Sequence, residues 1–387
     1  MRTKKKLQKQ WNRIVRWYQL NEKNAQIAAA VAVVLLLLLI IIRSRHVYEG
    51  VRELDDYSRN GTDNYSYVEF QEGMIRYSRD GVAYLDHKNE ELWNQPGQIQ
   101  NPEVITNAEA FVVLDSGGND IMIFDEKGLK GEISTTLPIE KASVSKQGIV
   151  AVILKNENSP KIMVYDIAGN ILVELQTAAY GTGYPVALAL SEDANLLGVS
   201  YAMVEGTTLK SQLVYYNFGS VGQGKTDNIV TSDVYEETII PYLFFVDHNK
   251  SVAVSDAGFM IYEGKQIPEL VKKVDVEKEI KSICHSEKYI GMVLNNTGRA
   301  GYELRLFSMN GNQTMSADFQ GDYGKVKISN EEVIMLEGSR GCIFTTKGRM
   351  KFQGNLDMDA SEIVALNGKN KYLLMNSNVV KKVRLAK

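Results

Sequence analysis

The feature that most constrains this chain is a short strand motif that recurs from residue 82 onwards. Each copy is an apolar, β-branched run that ends in an aromatic residue, usually followed by a polar turn. The clear copies are VAYLD, IMIFD, IMVYD, LVYYN, FMIYE, LRLFS and CIFTT. From Tyr84 to Phe344 the copies follow one another at steps of 40, 41, 50, 47, 45 and 37 residues. A period of this size indicates a repeat architecture.

Each copy belongs to a group of four predicted strands. The third group comprises Ala142–Ser145, Ile149–Leu154, Lys161–Asp166 and Ile171–Leu175, and the seventh comprises Val326–Ser329, Val333–Leu336, Cys342–Thr345 and Met350–Phe352. Four antiparallel strands in about 40–50 residues, repeated around a ring, are typical of a β-propeller blade. The sequence therefore predicts an all-β fold, an eight-bladed β-propeller, with seven blades as the alternative.

The last copy, VVKKV at Val379–Val383, is degenerate, and the C-terminal blade that contains it has only three predicted strands. The segment Val47–Leu54 is a candidate for the missing outer strand, which would close the ring and cover an open sheet edge. Residues 43–64 are therefore interpreted as a juxtamembrane linker with a possible ring-closing strand, and residues 65–387 as the propeller. The stretch 218–240 is the least regular and is predicted to be a long loop or an extended blade edge.

The run Ile27–Ile42, IAAAVAVVLLLLLIII, has no polar side chain. A bilayer core needs roughly 20 apolar helical residues, and flanking Lys and Arg side chains can compensate for a slightly shorter span. A cleaved signal peptide is the alternative, but RSRHVYEG follows the run without a small-x-small cleavage site. Residues 25–42 are therefore predicted to form a single transmembrane helix.

Lys and Arg counts predict how the chain is oriented in the membrane. Eight precede the apolar run and three follow it closely, so residues 1–24 are predicted to be a cytoplasmic basic head and the propeller to be extracytoplasmic. Leu7, Trp11, Ile14, Val15 and Tyr18 lie on one helical face, which is typical of a helix on an anionic membrane surface. A frayed basic tail is the alternative.

The charge is divided unequally along the chain. Residues 1–45 contain ten Lys and Arg and one Glu, a net charge of +9, whereas the whole chain carries −3, so residues 46–387 carry −12. An acidic body of this kind is not expected to bind nucleic acid.

Two segments resemble known propeller repeats. GMIRYSRDGVAYLDHKNEELW at Gly73–Trp93 resembles the quinoprotein repeat, and ALALSEDANLLGVSY at Ala187–Tyr201 is similar to blades of the WD40 and TolB types. The overall plan resembles a family of bacterial membrane-anchored propeller proteins of unknown function. The quinoprotein resemblance implies a quinone-dependent dehydrogenase with adjacent cysteines, a tryptophan platform and Ca²⁺. Cys284 and Cys342 are far apart, and Trp93 is the only tryptophan of the body, so this chain departs from that pattern.

Three short motifs suggest chemistry and are each interpreted structurally. GSVGQGKT at Gly219–Thr226 fits a phosphate-binding loop, but the DNIVTSDVY that follows favours a strand over the required helix. Cys284 and His285 are neighbours on a predicted strand and would point to opposite faces. Asp357 and Asp359 lack the remaining ligands of a calcium loop. No catalytic, cofactor-binding or metal-ligating residue is therefore assigned, and no cofactor is expected.

The sequence predicts a non-enzymatic membrane-anchored platform at the cell membrane that binds a protein or an envelope polymer on the propeller. Membrane lipid would be contacted by residues 25–42 and by the basic head. A propeller enzyme, a hydrolase or lyase acting on envelope glycans, and an extracytoplasmic sensor are the alternatives. Whether Cys284 and Cys342 form a disulfide is left open.

Overall fold

The computed structural model describes residues 26–27, 30–31, 33–34, 46–57, 64–156, 159–176, 183–298 and 300–387. The chain divides into two compact units, Met1–Tyr48 and Glu49–Lys387. In the first unit, the described residues between 26 and 34 are helical. Among the described residues, no helix is both long and apolar enough to cross a membrane. The predicted head at residues 1–24 lies outside the described residues, as do most residues of the predicted span at 25–42.

The described strands of the second unit form eight four-stranded antiparallel sheets, here called blades 1 to 8. The strands of the first four blades follow one another in chain order. Blade 1 contains β2 (Ser66–Phe70), β3 (Gly73–Ser78), β4 (Gly81–Asp86) and β5 (Glu91–Pro96); blade 2 contains β6 (Pro102–Thr106), β7 (Phe111–Asp115), β8 (Asp120–Asp125) and β9 (Gly128–Ser134); blade 3 contains β10 (Ile139–Val144), β11 (Val150–Leu154), β12 (Lys161–Tyr165) and β13 (Ile171–Gln176); blade 4 contains β14 (Tyr184–Leu190), β15 (Leu196–Glu205), β16 (Thr208–Asn217) and β17 (Ile229–Glu236).

Blades 5 to 7 repeat this order, and blade 8 combines the two ends of the propeller chain. Blade 5 contains β18 (Tyr242–Phe245), β19 (Lys250–Ser255), β20 (Gly258–Glu263) and β21 (Glu269–Asp275); blade 6 contains β22 (Ile280–His285), β23 (Tyr289–Asn295), β24 (Tyr302–Ser308) and β25 (Gln313–Phe319); blade 7 contains β26 (Lys325–Ser329), β27 (Glu332–Glu337), β28 (Arg340–Thr345) and β29 (Met350–Asn355); blade 8 contains β30 (Glu362–Ala365), β31 (Lys371–Met375), β32 (Val380–Ala386) and β1 (Gly50–Asp56).

The second unit is thus an eight-bladed β-propeller, which confirms the predicted fold and decides against seven blades. Strand β1 pairs with β32 from Gly50, opposite Ala386, to Asp56, opposite Lys381. The observed outer strand of blade 8 therefore overlaps the segment Val47–Leu54 that the sequence suggested. Because this strand comes from the start of the propeller and its three partners from the end, the main-chain ladder joins the two ends of the ring.

The propeller core lies between neighbouring blades. One cluster joins blades 1 and 2 through Phe70, Phe111 and Phe124, and equivalent clusters join most of the following pairs. Blade 8 packs on blade 1 through residues such as Leu373 and Tyr67. The aromatic residue that ends each motif copy is buried in every blade from 1 to 7, because it lies on the third strand, within the sheet. The recurring motif therefore marks a core position that blades 1 to 7 share.

A β-bulge recurs in the outer strands. In blades 1 to 7 the register between the third and the outer strand shifts by one residue near the start of the outer strand. The extra residue is Leu92 in blade 1, Leu172 in blade 3 and Val271 in blade 5, and each of these side chains is exposed. Strand β1 also has a bulge, at Leu54, closer to its other end. A bulge bends the strand and increases its twist.

Candidate binding cavity in the inner ring

The first strand of each blade is terminal in its sheet, and the first strands of several neighbouring blades contact one another. These strands form the inner ring of the propeller. Strands β6, β10, β14 and β18, with the end of β22 and the loop that follows it, line a cavity of about 610 Å³. Volumes of this size are typical of ligand sites. The cavity is therefore the candidate functional site, because one continuous space is reached by five blades.

One wall of the cavity is apolar and firmly held. Leu188 and Phe244 are each 7% exposed and belong to the clusters that join blades 3 to 4 and 5 to 6. Ile105 and Ala142 are half-buried and pack on the cluster between blades 2 and 3. Since each side chain is fixed by packing between two blades, the wall is pre-organised and does not need to rearrange to accept a ligand.

His285 contributes a neutral polar group to the cavity. Its ring stacks on Phe244 with 3.8 Å between the ring centroids, and its Nε2 lies 2.9 Å from the hydroxyl of Tyr242. His285 is an exposed residue that lines the cavity, and desolvation by the surrounding protein atoms lowers its pKa to about 4. The ring is therefore uncharged at neutral pH and can exchange hydrogen bonds with a ligand without the cost of burying a charge.

Cys284 and His285 do not form a nucleophile–base pair. The thiol of Cys284 lies beside Gly291 and faces blade 7, whereas His285 faces blade 5. Burial raises the pKa of Cys284 to about 12, so the thiolate is not formed at neutral pH. Cys284 and Cys342 are both free thiols, which answers the open question of a disulfide. The structure thus places the two neighbours on opposite faces of β22, as their strand position predicts.

The opposite arc of the inner ring is charged and closed by ion pairs. Lys327 on β26 donates hydrogen bonds to Glu69 on β2 at 2.9 Å and forms an ion pair with Glu362 on β30 at 2.5 Å. Lys325 also contacts Glu362 at 2.5 Å, and the hydroxyl of Ser329 donates to Glu69 at 2.9 Å. These five residues are called the ionic clasp. The clasp joins blades 7, 8 and 1, where the two ends of the ring meet.

Glu362 is only 3% exposed, so the carboxylate at the centre of the clasp lies in a low-dielectric environment. Burial alone raises the pKa of Glu362, but the attraction of Lys327 and Lys325 outweighs it and the pKa is lowered. For Lys327, burial lowers the pKa, and the attraction of Glu362 and Glu69 outweighs it and raises the pKa. Both groups are therefore charged at neutral pH, and each depends on the other to remain so.

The phosphate-loop motif lies at the edge of blade 4. Gly219–Thr226 contains a four-residue helix, α1 (Ser220–Gln223), and leads through a 3₁₀ turn at Thr226–Asn228 into β17. A Cβ atom on Gly222 would lie 1.6 Å from the carbonyl oxygen of Asn217, so this glycine serves a close main-chain approach. The loop connects two antiparallel strands. Of the two structures predicted for 218–240, a long loop or an extended blade edge, the second is confirmed in part, because residues 229–236 form the outer strand of blade 4.

Sequence reasoning missed the residues that shape the inner ring. Glu69 and Lys327 are separated by 258 positions, and no local pattern marks them as partners. The sequence singles out His285 only because it follows Cys284, whereas the residues that His285 contacts, Phe244 and Tyr242, belong to blade 5. Asp357 and Asp359 lie near an exposed connection, and among the described residues no three His, Cys, Asp or Glu side chains are grouped to hold a metal ion.

These features define the class of protein as a β-propeller with a ligand-sized inner cavity. The chain belongs to a family of unknown function, DUF5711, whose match covers residues 44–385. No functionally curated protein is detectably similar to it.

Several solved propellers have a similar fold. BamB from Moraxella catarrhalis is 13% identical with a TM-score of 0.54, and the similarity covers 86% of this chain and 99% of that one. Apo AztD from Citrobacter koseri is 10% identical with a TM-score of 0.50, over 77% of this chain and 87% of that one. A eukaryotic initiation factor is also 10% identical at a TM-score of 0.50, over 84% and 88% of the two chains. At these identities the likeness is one of fold.

Proposed function

We propose that this protein is a membrane-anchored binding platform whose inner-ring cavity receives a segment of a partner protein. The observation that carries the proposal is the cavity of about 610 Å³ with its fixed apolar wall. Apolar and aromatic side chains in a pre-formed recess, rimmed by polar groups, are typical of the centre of a protein-binding site. The platform is proposed to be non-enzymatic.

The rim of the cavity favours a polypeptide over a purely apolar ligand. Glu103, Lys141 and Glu287 line the cavity and are exposed, so they surround the buried Phe244 and Leu188 with charges of both signs. A segment with one or two apolar side chains and flanking polar groups would match this arrangement. The apolar centre would supply binding free energy, and the charged rim would supply orientation and specificity.

The inner strands also offer main-chain partners. Strands β6, β10, β14 and β18 are each paired on one side only, so the other edge of each strand faces the ring interior. Some main-chain groups on these edges already have hydrogen-bond partners. The side-chain amide of Asn107 donates to the carbonyl of Val144, and the main-chain amide of Leu190 donates to Ser143 Oγ. The remaining groups suit an extended segment that hydrogen-bonds through its own main chain.

The anchor part of the proposal rests on the apolar run. In the helical segment near residues 26–34, the side chains of Ile27, Val31, Val33 and Val34 are each more than half exposed. Exposed aliphatic side chains on a helix are unfavourable in water and favourable in lipid. Together with the Lys and Arg asymmetry, this supports a single-pass anchor with a cytoplasmic N-terminus and an extracytoplasmic propeller.

Photo-crosslinking in living cells tests the binding proposal. A photoreactive residue at Glu287, which lines the cavity, is compared with one at Glu277, which is also exposed but lies outside the cavity. We expect a protein adduct of defined mass from position 287 only, and its loss in Ala142→Trp, which fills the cavity. Thermal unfolding of Ala142→Trp shows whether the variant remains folded; if it does not, Ile105→Phe replaces it.

Equal protein adducts at both positions, or adducts that survive a folded cavity-filling variant, would contradict the binding proposal. Adducts to carbohydrate alone would indicate that the partner is an envelope polymer and not a protein. The anchor is tested separately by adding protease to intact cells. Digestion of the propeller is expected, and full protection that ends only on cell lysis would contradict the proposed orientation.

A further inference from the structure

A polar groove lies between blades 1 and 2, and it shares only Glu103 with the inner-ring cavity. The groove has a volume of about 680 Å³ and is formed by the turn between β3 and β4, the connection between β5 and β6, and neighbouring residues. Its lining is dominated by hydroxyl and amide side chains, including Ser66, Tyr77, Gln100 and Asn101. This composition differs sharply from the apolar wall of the cavity.

The walls of the groove are held together by main-chain hydrogen bonds. The amides of Gly97 and Ile99 donate to the carbonyls of Asp80 and Arg79, each at 2.9 Å. The amide of Asn101 donates to Asp115 Oδ1 at 2.8 Å, and the amide of Ser116 donates to the carbonyl of Asn101 at 2.9 Å. Because both loops are fixed to their neighbours, the shape of the groove does not depend on a ligand.

Several polar groups in this fixed groove are available to a ligand. The side chains of Asn64, Arg79 and Gln100 are exposed and form no hydrogen bond or ion pair with the described residues. Tyr77 is half-buried, and desolvation raises its pKa. The negative charge of Glu103 adds to this increase, and a hydrogen bond with Ser66 partly opposes it. The phenol is therefore protonated at neutral pH and can donate. Amides, hydroxyls, a guanidinium and two carboxylates thus share one groove.

We propose that this groove binds an uncharged oligosaccharide. Every sugar hydroxyl both donates and accepts hydrogen bonds, which matches a lining of amides and hydroxyls. Two carboxylates, Asp80 and Glu103, stand against the single guanidinium of Arg79, and this balance disfavours phosphate and uronic acid ligands. The groove lacks the apolar recess that a peptide anchor requires, so a polypeptide fits the inner-ring cavity better.

The test uses the full-length protein in nanodiscs of neutral lipid. Neutral tetrasaccharides of glucose, mannose, galactose and N-acetylglucosamine are added in turn, and saturation-transfer NMR detects protein contact at the sugar protons. We expect saturation of at least one neutral sugar and none of an oligogalacturonate control. Gln100→Ala and Arg79→Ala are each expected to weaken binding about fivefold to tenfold, which corresponds to the loss of one hydrogen bond.

Gln147→Ala is the matched control, since Gln147 is also an exposed glutamine but lies in the turn between β10 and β11. It is expected to bind the sugar as the wild type does. The three substituted side chains are exposed and form no side-chain hydrogen bond or ion pair with the part of the chain that the structure describes, so the variants are expected to fold, which thermal unfolding verifies. No saturation with any neutral sugar, or equal binding by Gln100→Ala, Arg79→Ala and Gln147→Ala, would overturn the proposal without affecting that of a protein partner in the cavity.

Discussion

The two arcs of the inner ring bring neighbouring blades together in different ways. From blade 2 to blade 6 the inner strands present Ile105, Leu188 and Phe244 around an open cavity. From blade 7 through blade 8 to blade 1 they are joined by the ionic clasp of Glu69, Lys325, Lys327, Ser329 and Glu362. The arc around the cavity leaves room for a ligand, and the arc joined by the clasp secures the place where the ring closes. Binding and closure are therefore located in separate parts of one ring.

The largest expected effect comes from breaking the clasp. Glu362→Ala leaves Lys325 and Lys327 beside each other without the carboxylate that both contact. Losing one partner of a buried pair typically costs about 3–5 kcal/mol, and we expect a decrease of that size in the free energy of unfolding of the full chain. Urea denaturation measures it.

The control for this substitution comes from the open arc. Glu287→Ala removes an exposed carboxylate that forms no ion pair among the described residues, and its effect should stay within about 0.5 kcal/mol. A comparable decrease in the free energy of unfolding in both variants would mean that the clasp does not stabilise the closed ring more than an exposed carboxylate does.

A pair of tyrosine variants gives a smaller but more closely matched comparison. The hydroxyl of Tyr372 donates to Glu332 at 2.6 Å and lies 2.6 Å from the ammonium of Lys351, where blades 7 and 8 meet. Tyr372 is only 1% exposed, so Tyr372→Phe removes a buried hydrogen-bond partner from the ion pair between Lys351 and Glu332 and should cost about 1–3 kcal/mol.

The counterpart in the open arc is Tyr242→Phe, which removes the hydrogen bond to His285 from a side chain that is 38% exposed. Water in the cavity can replace this bond, so a cost below about 1 kcal/mol is expected. If Tyr242→Phe proved as costly as Tyr372→Phe, the two arcs would be equally tight and the comparison would fail.

The two arcs should lose stability in different pH ranges. The folded state keeps His285 neutral with a pKa of about 4, whereas the unfolded chain takes up the proton near 6.5, so its contribution falls as the pH drops from about 6.5 to 4. The lowered pKa of Glu362 has its effect at more acidic pH. The stabilisation that the Glu362 carboxylate contributes is complete above its ordinary pKa of 4.5. It is lost as the pH falls through the lower pKa that Glu362 has in the folded state.

Urea denaturation at a series of pH values separates these contributions. In a plot of the free energy of unfolding against pH, His285→Gln should reduce the slope only between about pH 6.5 and 4. Glu362→Gln should reduce the slope only at more acidic pH. If both variants altered the same pH range, the assignment of these groups to separate arcs would be wrong.

The smallest effect is expected at the surface of blade 8. Lys381 contacts Glu53 at 2.8 Å across β32 and β1, but both side chains are partly exposed. Lys381→Ala should change the free energy of unfolding by less than about 1 kcal/mol, because surface pairs contribute little and are screened by salt. A loss as large as that of Glu362→Ala, measured in the same denaturation assay, would show that closure depends on the surface pairs instead.

The repeat could be predicted because it is a local property of the chain. Tyr84, Phe124, Tyr165 and the later aromatic residues occupy the same buried position in successive blades, so burial imposes the same residue type at each step. The outer strand of blade 8 was also suggested, although the strand runs from Gly50 to Asp56 rather than from residue 47. The membrane anchor stays a prediction, because its residues lie largely outside the described part of the chain.

The site could not be predicted because it depends on contacts between distant blades. The stacking of His285 on Phe244 requires the register of β22 against β18, and the clasp requires the closed ring. Inner strands carry few sequence signals, since their side chains alternate between neighbouring blades while the main-chain edge faces the ring interior. The polar groove could not be predicted either, because its residues come from four separate segments of the chain.

The repeated bulge limits association between copies of this protein through the edges of their sheets. Each outer strand ends its sheet with a row of main-chain donors and acceptors, and an uninterrupted row invites pairing with the edge of another molecule. Bulges such as those at Leu92, Leu172 and Val271 interrupt that row and turn the strand away. The propeller can therefore expose aliphatic residues on its rim and still resist edge-to-edge aggregation.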